Sequence, residues 1–316
     1  RSENIGISAL LRSSNIPSGA IVSDDIAFQL APKINAAGRM GKVDASLELL
    51  LCSDTAKADK LADTLTSLNT KRKKVCADIL EYTLNINTNQ LIFNDNCIIL
   101  SGEFHQGVIG IAASQLVKAH GLPVILFTRD LSIQGRSVLK GSGRSVAGVD
   151  LFALLCQCDR YILKYGGHPM AAGLSIFEEN FEKFKRVFSK MLTASMTETA
   201  GLADSRIDME LSVEKFFEKG MAEQINRLEP FGVGNRRPVF LDRSATLYDY
   251  RLLGKKGDHL RLYFRCRHSN RQGMAFNLGH KKDILQAGGT RGIIYSPTLS
   301  RYNNSASWEI RILDIF

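Results

Sequence analysis

The sequence has no pair of cysteines at CxxC spacing. Its six cysteines stand at 52, 76, 97, 156, 158 and 266, and the one close pair, Cys156 and Cys158, has neither a histidine nor a second pair at zinc-ligand spacing. They read as reduced core thiols rather than as a disulfide or zinc framework. No apolar run approaches the length of a membrane span, and no basic, apolar, small-residue leader opens the chain, so the expectation is a soluble, cytoplasmic protein that needs no membrane. Nor are apolar residues scarce. A hydrophobic content of 44% over 316 residues excludes a disordered chain and allows two or three domains with cores of their own. The first residue is Arg1, not Met, and the chain is expected to be a fragment of something longer.

What is present is positive charge, unevenly placed. The formal charge is +9. From Arg236 to the end there are 15 Lys and Arg against 6 Asp and Glu, 15 − 6 = +9, which leaves 26 against 26 in residues 1–235. A basic module joined to a neutral body points to a polyanionic partner.

Three regions follow from hydrophobic periodicity. Residues 1–85 read as helical: a helix from Ser2, a loop around Pro17 to Gly19, a helix from Val43 to Leu51, and a long one from Thr55 to Tyr82. In the last, Ala58, Leu61, Leu65, Leu68, Arg72, Val75, Ile79 and Tyr82 form one stripe at alternating three and four spacing, interrupted by Arg72. Residues 90–200 alternate in type. CIIL (97–100) reads as a buried strand, VIGIAASQLVKAH (108–120) as a helix closed by Gly121, PVILF (123–127) and SVLKGSGRSV (137–146) as further strands, Asp150 as a helix cap, and Phe177 to Leu192 as a final helix. Strand, helix, strand implies a βαβ unit in a mixed or parallel sheet. Residues 201–235 read as a linker strand and helix, with a boundary at the glycines and prolines of LEPFGVGNRRP. Residues 236–316 show six short β segments, VFL, ATLYDYRLL, HLRLYFRCRH, GMAFNL, TRGIIYSP and SWEIRILDIF, the pattern of a small barrel. The fold class expected is therefore an α/β domain with a mixed sheet, preceded by a long connecting helix and followed by an all-β barrel. In HLRLYFRCR the alternation sends Leu260, Leu262, Phe264 and Cys266 one way and Arg261, Tyr263, Arg265 and Arg267 the other. The second set combines guanidinium groups for phosphates with an aromatic ring for a base, the chemistry of single-strand binding.

The stretch KYGGHPMAAG (164–173) surrounds a histidine with almost no side chain. Gly166 and Gly167 permit close approach of a backbone, and Ala171, Ala172 and Gly173 leave space beside it. On these residues alone, a ligand site and a tight turn into a strand are equally good readings.

Several motifs, in order, carry a resemblance to the RecJ family of single-strand-specific exonucleases in the DHH phosphoesterase superfamily. LAPKINAAGRMG (30–41) resembles the family's P-R-x-N-A-x-G-R, with Lys33 in place of the first arginine. LNTKR (68–72) is similar to its L-N-x-x-R, EFHQGVIGIAAS (103–114) to its W-H-x-G-V-x-G-I with Phe104 for the tryptophan, KGSGRS (140–145) to its G-S-x-R-S, and KYGGHPMAAG to its G-G-H motif. EPFGVGNRRPVF (229–240) resembles the family's entry to an OB-fold domain. The resemblance implies a DHHA1-type α/β domain, an OB-fold barrel, and a 5′ to 3′ single-stranded DNA exonuclease acting in DNA repair and recombination by a two-metal mechanism with Mn²⁺ or Mg²⁺.

No Asp-His-His stands in this sequence, and its one Asp-His pair, Asp258 and His259, begins a barrel strand. The resemblance therefore implies that the metal ligands lie upstream of Arg1, that this chain binds no metal by itself, and that alone it holds single-stranded DNA without cutting it. It further implies a phosphate clamp. Arg144 and His168 act on the scissile phosphate, with Ser142, Gly143, Ser145, Gly166 and Gly167 offering donors beside them and Asn35 and Arg39 reaching in from the helical side. Arg261, Tyr263, Arg265 and Arg267 hold the strand on the barrel. The expected state is a monomer, with a helicase or single-strand-binding protein as candidate protein partner. Two other classes compete: a catalytically inactive RecJ-like scaffold that binds nucleic acid, and a small-molecule phosphoesterase. The basic barrel weighs against the last.

Overall fold

The computed structural model describes residues 4–17, 21–86, 92–93, 96–130, 135–196, 207–218, 220–254, 257–267, 269–285, 289–302 and 305–316. Residues 18–19 of the expected loop and 201–206 of the expected linker lie outside these. The chain divides into two compact units, Arg1–Ala203 and Asp204–Phe316. Among the described residues no helix is long and apolar enough to cross a membrane.

Asn4 opens the first helix, its side chain accepting from the Ile7 N–H at 2.9 Å, an N-cap that satisfies one of the helix's orphan donors. The helix is α1 (Ile5–Ser13). There follow α2 (Ala31–Arg39), α3 (Val43–Leu51) and α4 (Thr55–Leu84), the last capped by the Asp54 side chain on the Lys57 N–H at 2.6 Å. At 30 residues α4 extends about 45 Å at 1.5 Å per residue. Its N-terminal half buries Ala58, Ala62 and Leu65 against α1 to α3, and its C-terminal half buries Cys76 and Ile79 against the α/β core.

The stripe read from the sequence is rotated from the true one. The buried residues of α4 are Ala58, Ala62, Leu65, Asn69, Cys76, Ile79 and Thr83, and Tyr82 is exposed. Small and polar residues occupy the seam because neighbouring helices press close there. Asn69 is buried in the seam and accepts from Arg72 Nε at 3.2 Å and Nη2 at 2.8 Å, which accounts for the L-N-x-x-R spacing: the arginine satisfies the asparagine three residues before it.

The first unit's sheet runs in the order β1 (Ile92–Phe93), β2 (Cys97–Gly102), β3 (Val124–Arg129), β4 (Val138–Arg144), β6 (Ala171–Phe177), β5 (Lys164–His168). Between β2 and β3, which are parallel, lies α5 (Gln106–His120), closed by Gly121 at φ 66°. This is the expected βαβ unit, and the antiparallel β4, β6 and β5 make the sheet mixed. One face is covered by α6 (Leu151–Gln157), whose N-cap Asp150 accepts from the Ala153 N–H, and by α7 (Phe181–Met196). Phe127, Phe184 and Phe188 pack edge-on or tilted beneath them at centroid distances of 5.7–5.8 Å. On the other face α5 lies over β3 and β4, packing Val108, Ile109, Ala112 and Ala113 with Ile98, Val124 and Leu126.

The motif around His168 is a hairpin, not a loop. Gly166, Gly167 and His168 belong to the outer strand β5, paired with Gly173, Ala172 and Ala171 of β6. The turn is fastened by Ser145 N–H to Met170 O at 3.0 Å and Leu151 N–H to Pro169 O at 2.9 Å.

In the second unit, β8 (Phe240–Leu253), β9 (His259–Phe264), β10 (Arg271–Ala275), β12 (Ser305–Ile315) and β11 (Gly289–Tyr302) form a barrel closed by β11 on β8. VFL and ATLYDYRLL are one strand, β8, with an irregularity in its pairing to β9 between Leu247 and Asp249. A short strand, β7 (Met209–Glu210), adds in parallel to β8, and α8 (Val213–Phe216) and α9 (Met221–Asn226) contribute Val213, Phe216, Ala222 and Ile225 to the barrel core. Tyr295 is fully buried there and donates its hydroxyl to Leu211 O at 3.1 Å. Leu260, Leu262 and Phe264 are buried as the alternation predicts.

Gly167 tests the hairpin. A Cβ at Gly167, where φ is 157°, would lie 2.4 Å from Ala171 O and 2.6 Å from Ala172 Cα, whereas nothing lies within 4 Å of one at Gly166. Gly167→Ala should therefore lose ~1–3 kcal/mol of stability through backbone strain. Gly166→Ala should stay within about 0.5 kcal/mol of the parent. Urea unfolding of the two variants measures the difference.

Candidate nucleic-acid interface

From β4 outward, where the cover of α5 ends, this face of the first unit's sheet is polar. Opposed residues on neighbouring strands share a face, and the register lines up three rows across β4, β6 and β5: Arg144, Ala171, His168; Ser142, Gly173, Gly166; Lys140, Ser175, Lys164. The middle row carries almost no side chain, and Gly166, Gly173, His168 and Lys164 are exposed. The result is a shallow trough floored by main chain, with cationic or imidazole groups along both sides.

Arg144 is held in place at the edge of this trough. Its Nη1 donates to Ser142 Oγ at 3.1 Å and to Gly143 O at 2.7 Å, and its Nε and Nη2 have no partner among the described residues. Burial lowers its pKa from the ordinary value, and the positive charge of Arg39 lowers it further. Arg39 in turn donates from Nη1 to Gly107 O at 3.2 Å. Among the described residues neither guanidinium is in an ion pair. Two such guanidinium groups present donors of the kind an anion accepts.

Helix α5 brings the two arginines together. A Cβ at Gly107 would lie 2.1 Å from Arg39 O, and one at Gly110 would lie 2.8 Å from Arg144 Nη2 and 2.9 Å from Ser142 Oγ. These two glycines let the start of α5 rest against α2 on one side and β4 on the other. His105 caps the helix, its Nδ1 accepting from the Gly107 N–H at 3.2 Å. Asn35 is exposed one turn before Arg39 on the same face of α2. The departure at Lys33 is structural: the residue is buried and donates from Nζ to Ser13 O, Ser13 Oγ and Ser14 Oγ of α1. Burial and the nearby Lys73 lower its pKa.

Several expected donors stand elsewhere. Ser145 is 4% exposed, with its hydroxyl given to Val149 O at 2.8 Å and its N–H to the hairpin turn, so it holds structure and has no donor for a phosphate. Gly143 faces away from the trough, where a Cβ would lie 2.8 Å from Leu151 Cδ2. It makes room for α6. Because β4 is paired on both sides along its length, the main-chain N–H groups of GSGRS belong to the ladder; the strand offers side chains. The spare main-chain groups belong to β5, which has one neighbour. The close approach that Gly167 permits is to its own hairpin partner.

On the barrel, Arg261 and Tyr263 lie on the outer face of β9, but the strand ends at Phe264, and Arg265 and Arg267 follow it. Arg267 takes a different place: its N–H donates to Glu214 Oε1 at 3.0 Å and its Nε lies 3.8 Å from the same oxygen. The alternation nevertheless continues past the strand: Cys266 packs against the barrel core while Arg265 and Arg267 are exposed, and a further cluster lies beside the expected face. Tyr248 and Tyr263 lie with ring centroids 6.0 Å apart, with Arg265 Cζ 6.0 Å from the Tyr248 ring and Arg251 Cζ 6.0 Å from the Tyr263 ring. A row of opposed residues, Arg251, Arg261, Met274 and Arg311, crosses four strands beside them, and Arg311 Cζ lies 5.5 Å from the exposed Phe276 ring. Tyr248 follows the alternation of its strand, with Ala245 and Leu247 buried and Thr246 and Tyr248 exposed, and the register irregularity between Leu247 and Asp249 leaves it without an opposed residue on β9.

Among the described residues no three His, Cys, Asp or Glu converge as a metal site. Residues 94–194 match the model of the DHHA1 domain, and residues 207–314 match that of the RecJ OB domain, so the class is a DHHA1 α/β domain joined to an OB-fold barrel. The single-stranded-DNA-specific exonuclease RecJ of Bacillus subtilis is 28% identical over 314 residues, 99% of this chain and 39% of that protein. That of Dickeya dadantii is 35% identical over 271 residues, 81% of this chain and 45% of that protein. Crystal structures of RecJ from Thermus thermophilus in complex with Mg²⁺ and with Mn²⁺ superpose with a TM-score of 0.77 at 28% identity, covering 99% and 100% of this chain and 46% and 44% of those chains. The chain belongs to the RecJ family and spans less than half the length of these relatives.

The spacing of Arg39 and Arg144 depends on α5, and this gives a prediction. Gly107→Ala must push α5 away from the Arg39 carbonyl, an overpacking that costs ~1–3 kcal/mol. Urea unfolding measures the loss, and a crystal structure of the variant should show the two guanidinium groups further apart.

Proposed function

We propose that this chain is the strand-holding part of a 5′ to 3′ single-stranded DNA exonuclease that serves DNA repair and recombination. The observation that carries the reading is the pair Arg39 and Arg144, two neighbouring guanidinium groups that make no ion pair among the described residues, with Arg144 at the edge of a trough floored by main chain. The name shared by the relatives, single-stranded-DNA-specific exonuclease, supports the substrate class.

In this reading the scissile phosphate lies over Ser142 and Gly173. Arg144 gives it the free Nε and Nη2 donors, Arg39 gives a second fork from the side of α2, and His168 donates a ring N–H from the far side of the trough. Asn35 extends the contacts by one helical turn. Charge develops on the non-bridging oxygens as phosphoryl transfer proceeds, and Arg144 is already fixed by Ser142 and Gly143 O, so little reorganisation accompanies the stabilisation.

The described residues do not fit a metal centre. A divalent ion such as Mg²⁺ or Mn²⁺ belongs in this reading to ligands outside them, and by itself this chain grips a strand without cutting it. The barrel keeps the strand on the enzyme between cuts. Tyr248 and Tyr263 give bases a surface to stack on, while Arg251, Arg261 and Arg265 neutralise phosphates.

Two measurements test the halves separately. In the intact protein, Arg144→Ala or His168→Ala should lower kcat by ~10²-fold or more, by analogy with the loss of an oxyanion donor, with oligonucleotide affinity changed far less. Retention of kcat with weaker binding would reduce either residue to a positioning contact.

For the barrel, fluorescence anisotropy of a labelled oligo-dT across a salt series separates stacking from charge. Tyr263→Ala should cost ~1–3 kcal/mol of affinity with the salt slope unchanged. Arg251→Ala or Arg265→Ala should each flatten the slope by about 0.7. Arg267→Ala should flatten the slope less, since Glu214 lies 3.8 Å from its Nε and offsets part of its charge.

A further inference from the structure

The third row of the trough is not used by the phosphate contacts above. Lys140 on β4 and Lys164 on β5 stand on either side of Ser175, on the same face of the sheet as Arg144 and His168 and four residues along each strand from them. Neither lysine is in an ion pair among the described residues. The row adjoins the end of the sheet at which α5 begins, since Lys140 is opposite Thr128 at the end of β3, and the N-terminus of this 15-residue helix adds partial positive charge there. Between this row and the Arg144 row lies only the line Ser142, Gly173, Gly166, so no side chain longer than a hydroxymethyl separates the two.

We propose that Lys140 and Lys164 form a second phosphate site, which takes the phosphate next to the one gripped over Ser142, so that the strand crosses the sheet along β4, β6 and β5. The inference rests on the reading of Arg144 and His168 as a phosphate clamp. The rise of a strand supports it: two residues advance about 6.8 Å, so a phosphate over the middle row and one at the lysine row are separated by the length of one nucleotide. Lysine suits the second site. A flexible ammonium holds a phosphate as a point charge without fixing its orientation, whereas the fork of Arg144 fixes the orientation of the first. The two lysines are thus positioning residues: they set which phosphodiester lies over Ser142.

The test uses this chain and two probes, dTMP with one phosphate and the 5′-phosphorylated dT dinucleotide with two. Amide signals of Gly166 and Gly173, followed by NMR during titration, report the trough alone and not the barrel. For the parent chain the dinucleotide should bind about tenfold more tightly than dTMP, the effect of one additional charge-assisted contact. The Lys140→Met/Lys164→Met double variant, at one half-buried and one exposed position, should abolish that advantage and leave dTMP binding and the urea unfolding midpoint unchanged, and Lys140→Arg/Lys164→Arg should restore it. If both probes bind the parent equally, or if the methionine variant retains the advantage, the second site is wrong and the clamp stands. If neither probe moves the two glycine signals, the clamp itself is wrong, and the second site falls with it.

Discussion

The contact on which the candidate site depends is between the first turn of α5 and the two elements beside it. At Gly107 and Gly110 the helix comes so near that a single Cβ would collide with the Arg39 carbonyl on one side and with Ser142 and Arg144 on the other. That proximity has two effects. It removes Arg144 partly from water, so that its charge is weakly screened, and it places a second positive charge beside it. Two like charges brought together in a part-buried place repel each other, and the packing of α5 on the sheet through Val108, Ile109, Ala112 and Ala113 offsets the repulsion. In the reading proposed above, a bound phosphate relieves the same repulsion.

Much of this architecture could be read from residue order. The strong periodic elements, α4, α5 and β9, and the caps at Asp150 and Gly121 were visible because each rests on local chemistry: a helix stripe, a period of two, a carboxylate on an amide, a glycine at φ > 0. The identity of the main cationic residues was visible too, through the motifs. What was not visible is which groups face each other. Lys140 and Lys164 are far apart in sequence, and only the register of β4, β6 and β5 places them in one row. Ser145 and Gly143 stand beside Arg144 in sequence yet serve the hairpin and α6, because a strand sends neighbours to opposite faces. The contact of the Arg267 main-chain N–H with Glu214, from a helix remote in sequence, was equally invisible.

In the reading proposed above, the two units meet one kind of partner with different physics. In the trough, rigid donors are fixed by hydrogen bonds within the sheet and by close helix packing, an arrangement suited to a single orientation of a phosphate. On the barrel, rings lie at tilted angles with arginines over them, and the arginine row lies across strands whose inner faces are anchored by buried residues such as Leu260, Leu262 and Phe264. Stacking tolerates many geometries, so that surface suits a strand that has to move.

The glycine floor of the trough has a consequence for selectivity. Bases are told apart by side chains that meet their edges with matched donors and acceptors, and the line Ser142, Gly173, Gly166 presents one hydroxyl and bare main chain. Every group able to make a strong contact there addresses the sugar–phosphate backbone, which is the same at each step. Such a surface is indifferent to the letter above it. In the reading proposed above, any discrimination exerted there rests on the shape and charge of the backbone and not on the bases.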